Sequence, residues 1–303
     1  MAELVLRLGA FQLVAAAVFA SAWALDLVLR RRSAATRRGL WALAIAVVLV
    51  LPITRVALAA PAFALPAGSA RWALAIWSAG AAALAVRALC GALTVRRWAR
   101  EARPLHAPAW HADLVALARA PVELRTTAVI EAPLTVGLWR AVILVPESML
   151  TVPAETRRSI LAHELAHVAR RDCALLAAGA WVRAIGWFDP LAWIAVRRLR
   201  AHAEHAADDA VLAAGVRSST YAAQLVGLAR AGDGAGEGVT VGLRDRVLAI
   251  LDVERPRSAA LSDVARGGRW VAAALGLATM VTACEARSEP DERASSSSIV
   301  PRM

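Results

Sequence analysis

Three long apolar runs in the first hundred residues constrain the fold of this chain more than any other feature. Residues 8–25 carry no charge, residues 40–54 form a second run, and residues 72–95 form a third whose one charge is Arg87. About 20 apolar residues is the length that an α-helix needs to cross a bilayer. Hydrophobic residues make up 59% of the chain, and the mean hydropathy is +0.53, well above that of a soluble domain. The sequence therefore predicts a membrane protein.

The positions of the arginines predict its orientation. The net charge is +11 and the chain contains no lysine. The connection between the first two runs and the segment after the third are rich in arginine, while the intervening connection has arginine only at its edges (Arg30, Arg31, Arg32, Arg37 and Arg38; Arg96, Arg97, Arg100 and Arg103; Arg55 and Arg71). Arginine-rich loops stay in the cytoplasm, so we expect the N-terminus outside and residues 96–269 inside. Because the arginines flank apolar runs, direct nucleic-acid binding is not expected.

Two charged residues lie in or beside the predicted spans. Asp26 follows the first run and Arg87 lies within the third. A lone charge at membrane depth is costly and usually faces a partner or a cavity. The sequence therefore predicts that these two side chains pair.

The predicted organisation has four parts. Residues 1–103 hold three transmembrane helices, 104–268 a cytosolic domain, 269–284 a fourth transmembrane helix, and 285–303 a disordered external tail. Within the cytosolic domain, residues 128–146 are rich in Val, Ile, Leu and Thr and predict two short strands. Helices are predicted at 155–171, 173–187, 190–214, 218–231 and 241–251.

The stretch LAHELAHVARRD, residues 161–172, carries the chemistry. His163 and His167 are four residues apart, so on a helix both imidazoles share one face and reach a single zinc ion, with Glu164 beside them. Asp172 follows at the end of the helix and is interpreted as structural.

A catalytic zinc needs a third protein ligand and an open position. The pattern HExxHxxGxxH is excluded, because Arg170 stands at its glycine position and Cys173 at its last histidine. Glu204 on a following helix is the candidate ligand, and Asp208 one turn later is the candidate carboxylate that orients a ligand histidine. The alternatives that stay open for the third ligand are His202, His205 and Asp209.

These parts predict the hydrolysis of a peptide bond. A zinc-bound water would attack the scissile carbonyl, and Glu164 would take its proton. His205 and Arg246 are candidates for stabilising the oxyanion. An extended substrate would pair with an edge strand, for which the candidate residues are Pro133, Leu134, Thr135, Val136 and Gly137.

Several motifs occur in a specific order. PLTVGLWRAVILVP (133–146), HELAHVARRD (163–172), WFDPLAW (187–193), RRLR (197–200), AEHAADD (203–209) and RDRVLAIL (244–251) resemble the BlaR/MecR-like antirepressor family of integral-membrane zinc metallopeptidases, over about residues 1–284. The resemblance implies a gluzincin-like domain in a cytoplasmic loop between the third and fourth spans, within the inner membrane of a bacterium. It implies one catalytic Zn²⁺ held by His163, His167 and Glu204, with Glu164 as the base.

The expected fold class is therefore mainly α: a polytopic membrane protein of four transmembrane helices, with a cytosolic α+β zincin-like metallopeptidase domain inserted between the third and fourth. The best-known members of the family cleave a winged-helix repressor or trigger its loss, and carry an extracellular penicillin-binding sensor, for which the 19 residues after 284 are too few. The expected role is proteolytic signalling on a protein or peptide substrate. Membrane-protein quality control and an idle receptor or scaffold are the alternatives, and the oligomeric state is left open.

Overall fold

The computed structural model describes residues 2–52, 68–231 and 237–257, which form nine α-helices and a four-stranded sheet. The prediction of a mainly helical chain with a small sheet is confirmed. The predicted fourth span and the tail lie outside the described residues, so the four-span arrangement and the domain bounds stay predictions. The elements are α1 Ala2–Val28, α2 Ala34–Val50, α3 Ser69–Glu101, β1 Arg103–Pro104, α4 Pro108–Leu117, β2 Glu123–Thr127, β3 Leu134–Val136, β4 Val142–Pro146, α5 Ala154–Arg170, α6 Asp172–Ile185, α7 Pro190–Ala213, α8 Ser218–Ala231 and α9 Glu237–Leu251.

Two of the described helices, α1 and α3, are long and apolar enough to cross a membrane. None of the residues of α3 is buried, and its outer surface carries Trp72, Ile76 and Leu89, each more than half exposed. An apolar surface of this extent is unfavourable in water and is typical of contact with lipid or a partner. The helix α2 is shorter, at 17 residues, and lies inside the bundle with Trp41 and Ile45 fully buried.

One hydrophobic core joins the N-terminal helices to the region that follows them. Phe19 of α1 and Trp41 and Ile45 of α2 pack in the same cluster as Val182 of α6 and Leu199 of α7. Close packing of large apolar side chains holds helices together by van der Waals contact, in a bilayer as well as in water. The predicted membrane segment and the predicted peptidase domain therefore share a core across the expected boundary at residue 103.

The helices α6 and α7, called the α6–α7 hairpin below, pack with their connecting turn against the first half of α3. The indole nitrogen of Trp77 donates to the carbonyl of Ile185 at 3.0 Å, and that of Trp187 donates to the carbonyl of Trp77 at 3.2 Å. Gly80 permits this approach, because a Cβ at that position would collide with the Trp187 ring. The tip of the hairpin thus lies beside Trp77 and Gly80, in the first half of the third apolar run.

Asp26 is buried at the end of α1, and its partner differs from the predicted one. The Nε of Arg37 on α2 donates to the Asp26 carboxylate at 2.6 Å, and the Nε2 of His202 on α7 lies 3.3 Å from it. Arg87 is exposed on α3, so the predicted pairing of Asp26 with Arg87 is wrong. The short turn between α1 and α2 brings Arg37 back beside Asp26, which offsets the cost of burying the carboxylate.

The sheet has the strand order β1-β2-β4-β3, so β3 is an edge strand. It pairs antiparallel with β4, while β4 runs parallel to β2. Gly137 ends β3 with a φ of 101°, and a Cβ there would collide with the carbonyl of Arg140. The two strands predicted within 128–146 are confirmed as β3 and β4. The short elements β1, β2 and α4 were not predicted, because their sequences carry no sustained apolar periodicity.

Candidate metal centre

Helices α5 and α7 bring three candidate ligands together. The Nε2 atoms of His163 and His167, one turn apart on α5, lie 3.2 Å from each other. The carboxylate of Glu204 on α7 lies 3.6 Å from the Nε2 of His163 and 3.9 Å from that of His167. One ligand atom from each of the three residues fits within a 4.8 Å group.

These separations fit a zinc ion. Zinc bonds imidazole nitrogen and carboxylate oxygen at about 2.0–2.2 Å in tetrahedral geometry, which puts neighbouring ligand atoms roughly 3.3 Å apart. Two nitrogens and one oxygen are also the donor set of a family of catalytic zinc sites that leave one position open. The three side chains therefore suit a catalytic zinc without rearrangement of the helices.

The alternative third ligands make other contacts. His202 faces Asp26, and Asp209 lies 3.3 Å from a guanidinium nitrogen of Arg255. His205 is partly buried, and its Nδ1 has no hydrogen-bond partner in the described part of the chain. Of the four candidates, Glu204 is the one that the structure places beside the two histidines.

The outer nitrogen of His163 faces a buried polar network. Its Nδ1 lies 3.3 Å from Asp208, which is completely buried. Asp208 accepts a hydrogen bond from the hydroxyl of Tyr221 at 2.8 Å and two from the guanidinium of Arg246, at 2.6 and 2.9 Å. A carboxylate on Nδ1 fixes the ring so that Nε2 faces the metal position. This is the role predicted for Asp208.

His167 has an equivalent partner that the sequence did not identify. Its Nδ1 lies 2.7 Å from Asp172, which in turn accepts from the Nε of Arg38 at 2.7 Å. Arg171 separates α5 from α6 with a left-handed φ of 52°. The change of direction at this residue brings Asp172 back toward the imidazole. We interpreted Asp172 as structural, but its contact is that of a carboxylate that orients a ligand. An acidic residue at the helix break just after the motif was the available signal.

Glu164 and the edge strand lie on the same side of the site. The hydroxyl of Thr135 on β3 donates to the Glu164 carboxylate at 2.6 Å, and Glu164 is buried. The strand residues Leu134–Val136 border a cleft of about 950 Å³ that Thr135, Trp139 and His167 line. Pro133 and Gly137 flank the strand. The predicted substrate strand is thus an edge strand next to the candidate base.

Of the two residues predicted to stabilise an oxyanion, Arg246 has contacts of another kind. Its Nε and Nη2 donate to Asp208 and its Nη1 lies 3.2 Å from Glu204, so its charge neutralises the carboxylates that surround the histidines. Burial and the nearby positive charge of Arg255 together lower the pKa of His205 to about 4. His205 is therefore neutral near pH 7.

The charges of the site are strongly coupled. Burial alone would lower the pKa of His163, but hydrogen bonds to Asp208 and Glu204 and the charge of Asp208 outweigh it and raise that pKa to about 9. Burial would raise the pKa of Glu204, but the hydrogen bond and charge of His163 and the charge of Arg246 lower it to about 2. Without a metal, the site therefore holds a proton on His163 at neutral pH.

Metal binding is expected to release this proton. Below the raised pKa of His163, about 9, a proton competes with the metal for the imidazole. The apparent zinc affinity should therefore rise about tenfold per pH unit between pH 7 and pH 9 and then level off. Calorimetric titrations in buffers of different ionisation enthalpy measure the protons released. A zinc affinity independent of pH over this range would contradict a protonated His163 in the metal-free protein.

Comparisons with known proteins agree with this geometry. A family model described as BlaR1 peptidase M56 matches residues 64–239, more than half of the chain. A regulatory protein BlaR1 from Bacillus licheniformis is 30% identical over 91 residues, which cover 30% of this chain and 15% of that protein. The chain thus matches only a small part of the length of this curated relative.

Proposed function

The chain belongs to the BlaR1 peptidase M56 family, and from this premise we propose that it is an integral-membrane zinc metalloendopeptidase. The observation that carries the proposal is the arrangement of His163, His167 and Glu204 around one position, with each histidine oriented by its own buried carboxylate. Two imidazoles whose Nε2 atoms converge while each Nδ1 faces a buried carboxylate are typical of a metal site and not of an ordinary helix surface. An idle receptor or scaffold is disfavoured for the same reason.

The chain's own residues divide the work of hydrolysis. Zinc, when bound, lowers the pKa of a water molecule and polarises the scissile carbonyl. Glu164 takes the proton of the attacking water and passes it to the leaving amine. The Thr135 hydroxyl, 2.6 Å from that carboxylate, fixes its orientation. The outer edge of β3, which pairs with no other described strand, would hold the substrate in an extended conformation through backbone hydrogen bonds.

The membrane topology is part of the proposal. Helices α1 and α3 have the length and composition of transmembrane spans, and the arginines after each run favour a cytosolic metal centre. The α6–α7 hairpin packs beside both helices, where Gln12 of α1 donates to the carbonyl of Ile185 at 3.1 Å. The enzyme would therefore lie in the inner membrane of a bacterium with its active site facing the cytosol.

Proteolytic signalling is the proposed role, with a protein substrate such as a winged-helix repressor. The support is the family and the likeness to a protein whose name describes it as regulatory. The cleft fits a protein substrate, since it borders an edge strand and is lined by the exposed side chains of Trp139 and Leu138.

The test uses the full chain in lipid nanodiscs loaded with zinc. A library of fluorescence-quenched peptides should be cleaved at internal bonds, and a strong chelator should stop cleavage until zinc is restored. Repressors encoded beside the gene are then offered as substrates, and membrane proteins with damaged spans as the alternative. Cleavage of the damaged proteins alone would favour quality control. A zinc-loaded protein that cuts neither peptides nor proteins would contradict the proposed activity.

A further inference from the structure

Arg38 connects a helix of the N-terminal bundle to the metal centre. It lies on α2, and only 7% of its surface is exposed. Its Nε donates to one oxygen of Asp172 at 2.7 Å, and the other oxygen of Asp172 lies 2.7 Å from the Nδ1 of His167. A single carboxylate thus joins Arg38 to a candidate metal ligand.

The guanidinium of Arg38 also stabilises the junction between α5 and α6. Its Nη2 donates to the carbonyl of Arg170 at 2.8 Å, so one planar fork spans that carbonyl and the Asp172 carboxylate. The side chain of Arg170 itself is further from Asp172, at 3.4 Å, and donates to the carbonyl of Ala206. Charge-assisted bonds shielded from water are the strong ones, and the fork geometry is specific to arginine.

The same pair of helices, α1 and α2, also contacts α7, the helix that carries the candidate ligand Glu204. Asp26 of α1 and Arg37 of α2 meet His202 of α7, two residues before Glu204. The adjoining ends of α1 and α2 therefore contact both of the elements that carry candidate ligands, although they lie more than a hundred residues away in the sequence.

We propose that Arg38 is a positioning residue of the metal centre, which acts through Asp172 to fix the imidazole of His167. The docking of α2 then sets the affinity of the site for its metal, so that a displacement of this membrane helix loosens a ligand. The inference rests on the proposed zinc site and adds the element of the membrane bundle that controls it.

The experiment compares five variants of the full chain in nanodiscs: Arg38→Met, Arg38→Lys, Asp172→Asn, the double variant of Arg38→Met with Asp172→Asn, and Arg31→Met as the control. Arg31 is an exposed arginine of the same α1–α2 connection. Zinc affinity is measured by competition with a chelator, and ligand geometry by the absorption spectrum of the cobalt-substituted protein. Arg38→Met and Asp172→Asn should each lower the zinc affinity about 10- to 100-fold and alter the cobalt spectrum. Arg31→Met should change neither.

The double variant decides whether Arg38 acts through Asp172. It should bind zinc no more weakly than Asp172→Asn alone, because Asp172→Asn already removes the carboxylate through which Arg38 acts. It also removes both charges of the Arg38–Asp172 pair together, so it should accumulate even if Arg38→Met alone leaves the carboxylate unpaired and fails to do so. Arg38→Lys, which keeps the charge but not the fork, should fall between Arg38→Met and the unaltered protein.

Two results would overturn the inference. One is an unchanged zinc affinity in Asp172→Asn or Arg38→Met, and the other is a further tenfold loss in the double variant relative to Asp172→Asn. An unaltered protein that binds no zinc would instead contradict the proposed function, so the two failures are distinguishable.

Discussion

Glu164→Gln is expected to keep the metal and lose about 10²- to 10⁴-fold in peptidase kcat. Glutamine has the shape of glutamate and can still meet the Thr135 hydroxyl, but it cannot take a proton from the attacking water. Glu204→Ala should instead lose stoichiometric zinc, because it removes the one oxygen donor of the three. Metal analysis of the purified proteins and peptide cleavage at saturating substrate separate the two effects.

The matched control for this comparison is Glu155→Gln, the same change at an exposed position of the same helix, which should keep both zinc and activity. Stoichiometric, tightly held zinc in Glu204→Ala would show that another residue is the third ligand. Full activity in Glu164→Gln would remove Glu164 from the mechanism.

Asp208→Asn is expected to destabilise the folded protein by about 3–5 kcal/mol, the typical cost of breaking a buried ion pair. Asp208 is completely buried and accepts from Tyr221 and from two nitrogens of Arg246, so the change leaves the Arg246 guanidinium short of a carboxylate. The His163 ring also loses the carboxylate that orients it, so zinc affinity should fall about 10- to 100-fold. Thermal unfolding of the metal-free protein isolates the first effect, and chelator competition the second.

Asp245→Asn provides the control, because Asp245 is an exposed neighbour of Arg246 on α9. It should shift stability by less than about 0.5 kcal/mol, as surface substitutions usually do. Equal unfolding temperatures for the two metal-free variants would mean that the buried network contributes nothing to stability.

Local patterns predicted the parts of the site that lie along one helix or one strand. The spacing of His163 and His167 placed both on one face, and the helices α5 to α8 end within about two residues of the predicted bounds. The apolar, β-branched stretch at 128–146 predicted the strands β3 and β4. In each case the spacing of residues along one segment is enough to indicate the element and the face that its side chains share.

Contacts between distant elements could not be predicted in this way. Arg38 was interpreted only as a topology-setting charge, and its partner Asp172 is 134 residues away. Asp26 was assigned to Arg87 because both lie near apolar runs, whereas the turn after α1 brings Arg37 closer. Such partners depend on how the helices cross and which faces meet, and a single sequence carries no periodic signal for that.

Helix α7 is continuous, so it fixes the distance between the hairpin tip and the metal centre. From Pro190, beside the hairpin tip, to Glu204 the helix rises about 21 Å at 1.5 Å per residue. The tip contacts Gly80, and from Gly80 to Val95, the last residue of the third apolar run, α3 rises about 22 Å. Under the proposed topology the metal position would therefore lie level with the cytosolic end of that run, at the boundary between lipid tails and headgroups. A peptide bond would have to reach that depth to be cut, which would select substrates whose cleavage site lies in a loose segment close to the membrane surface.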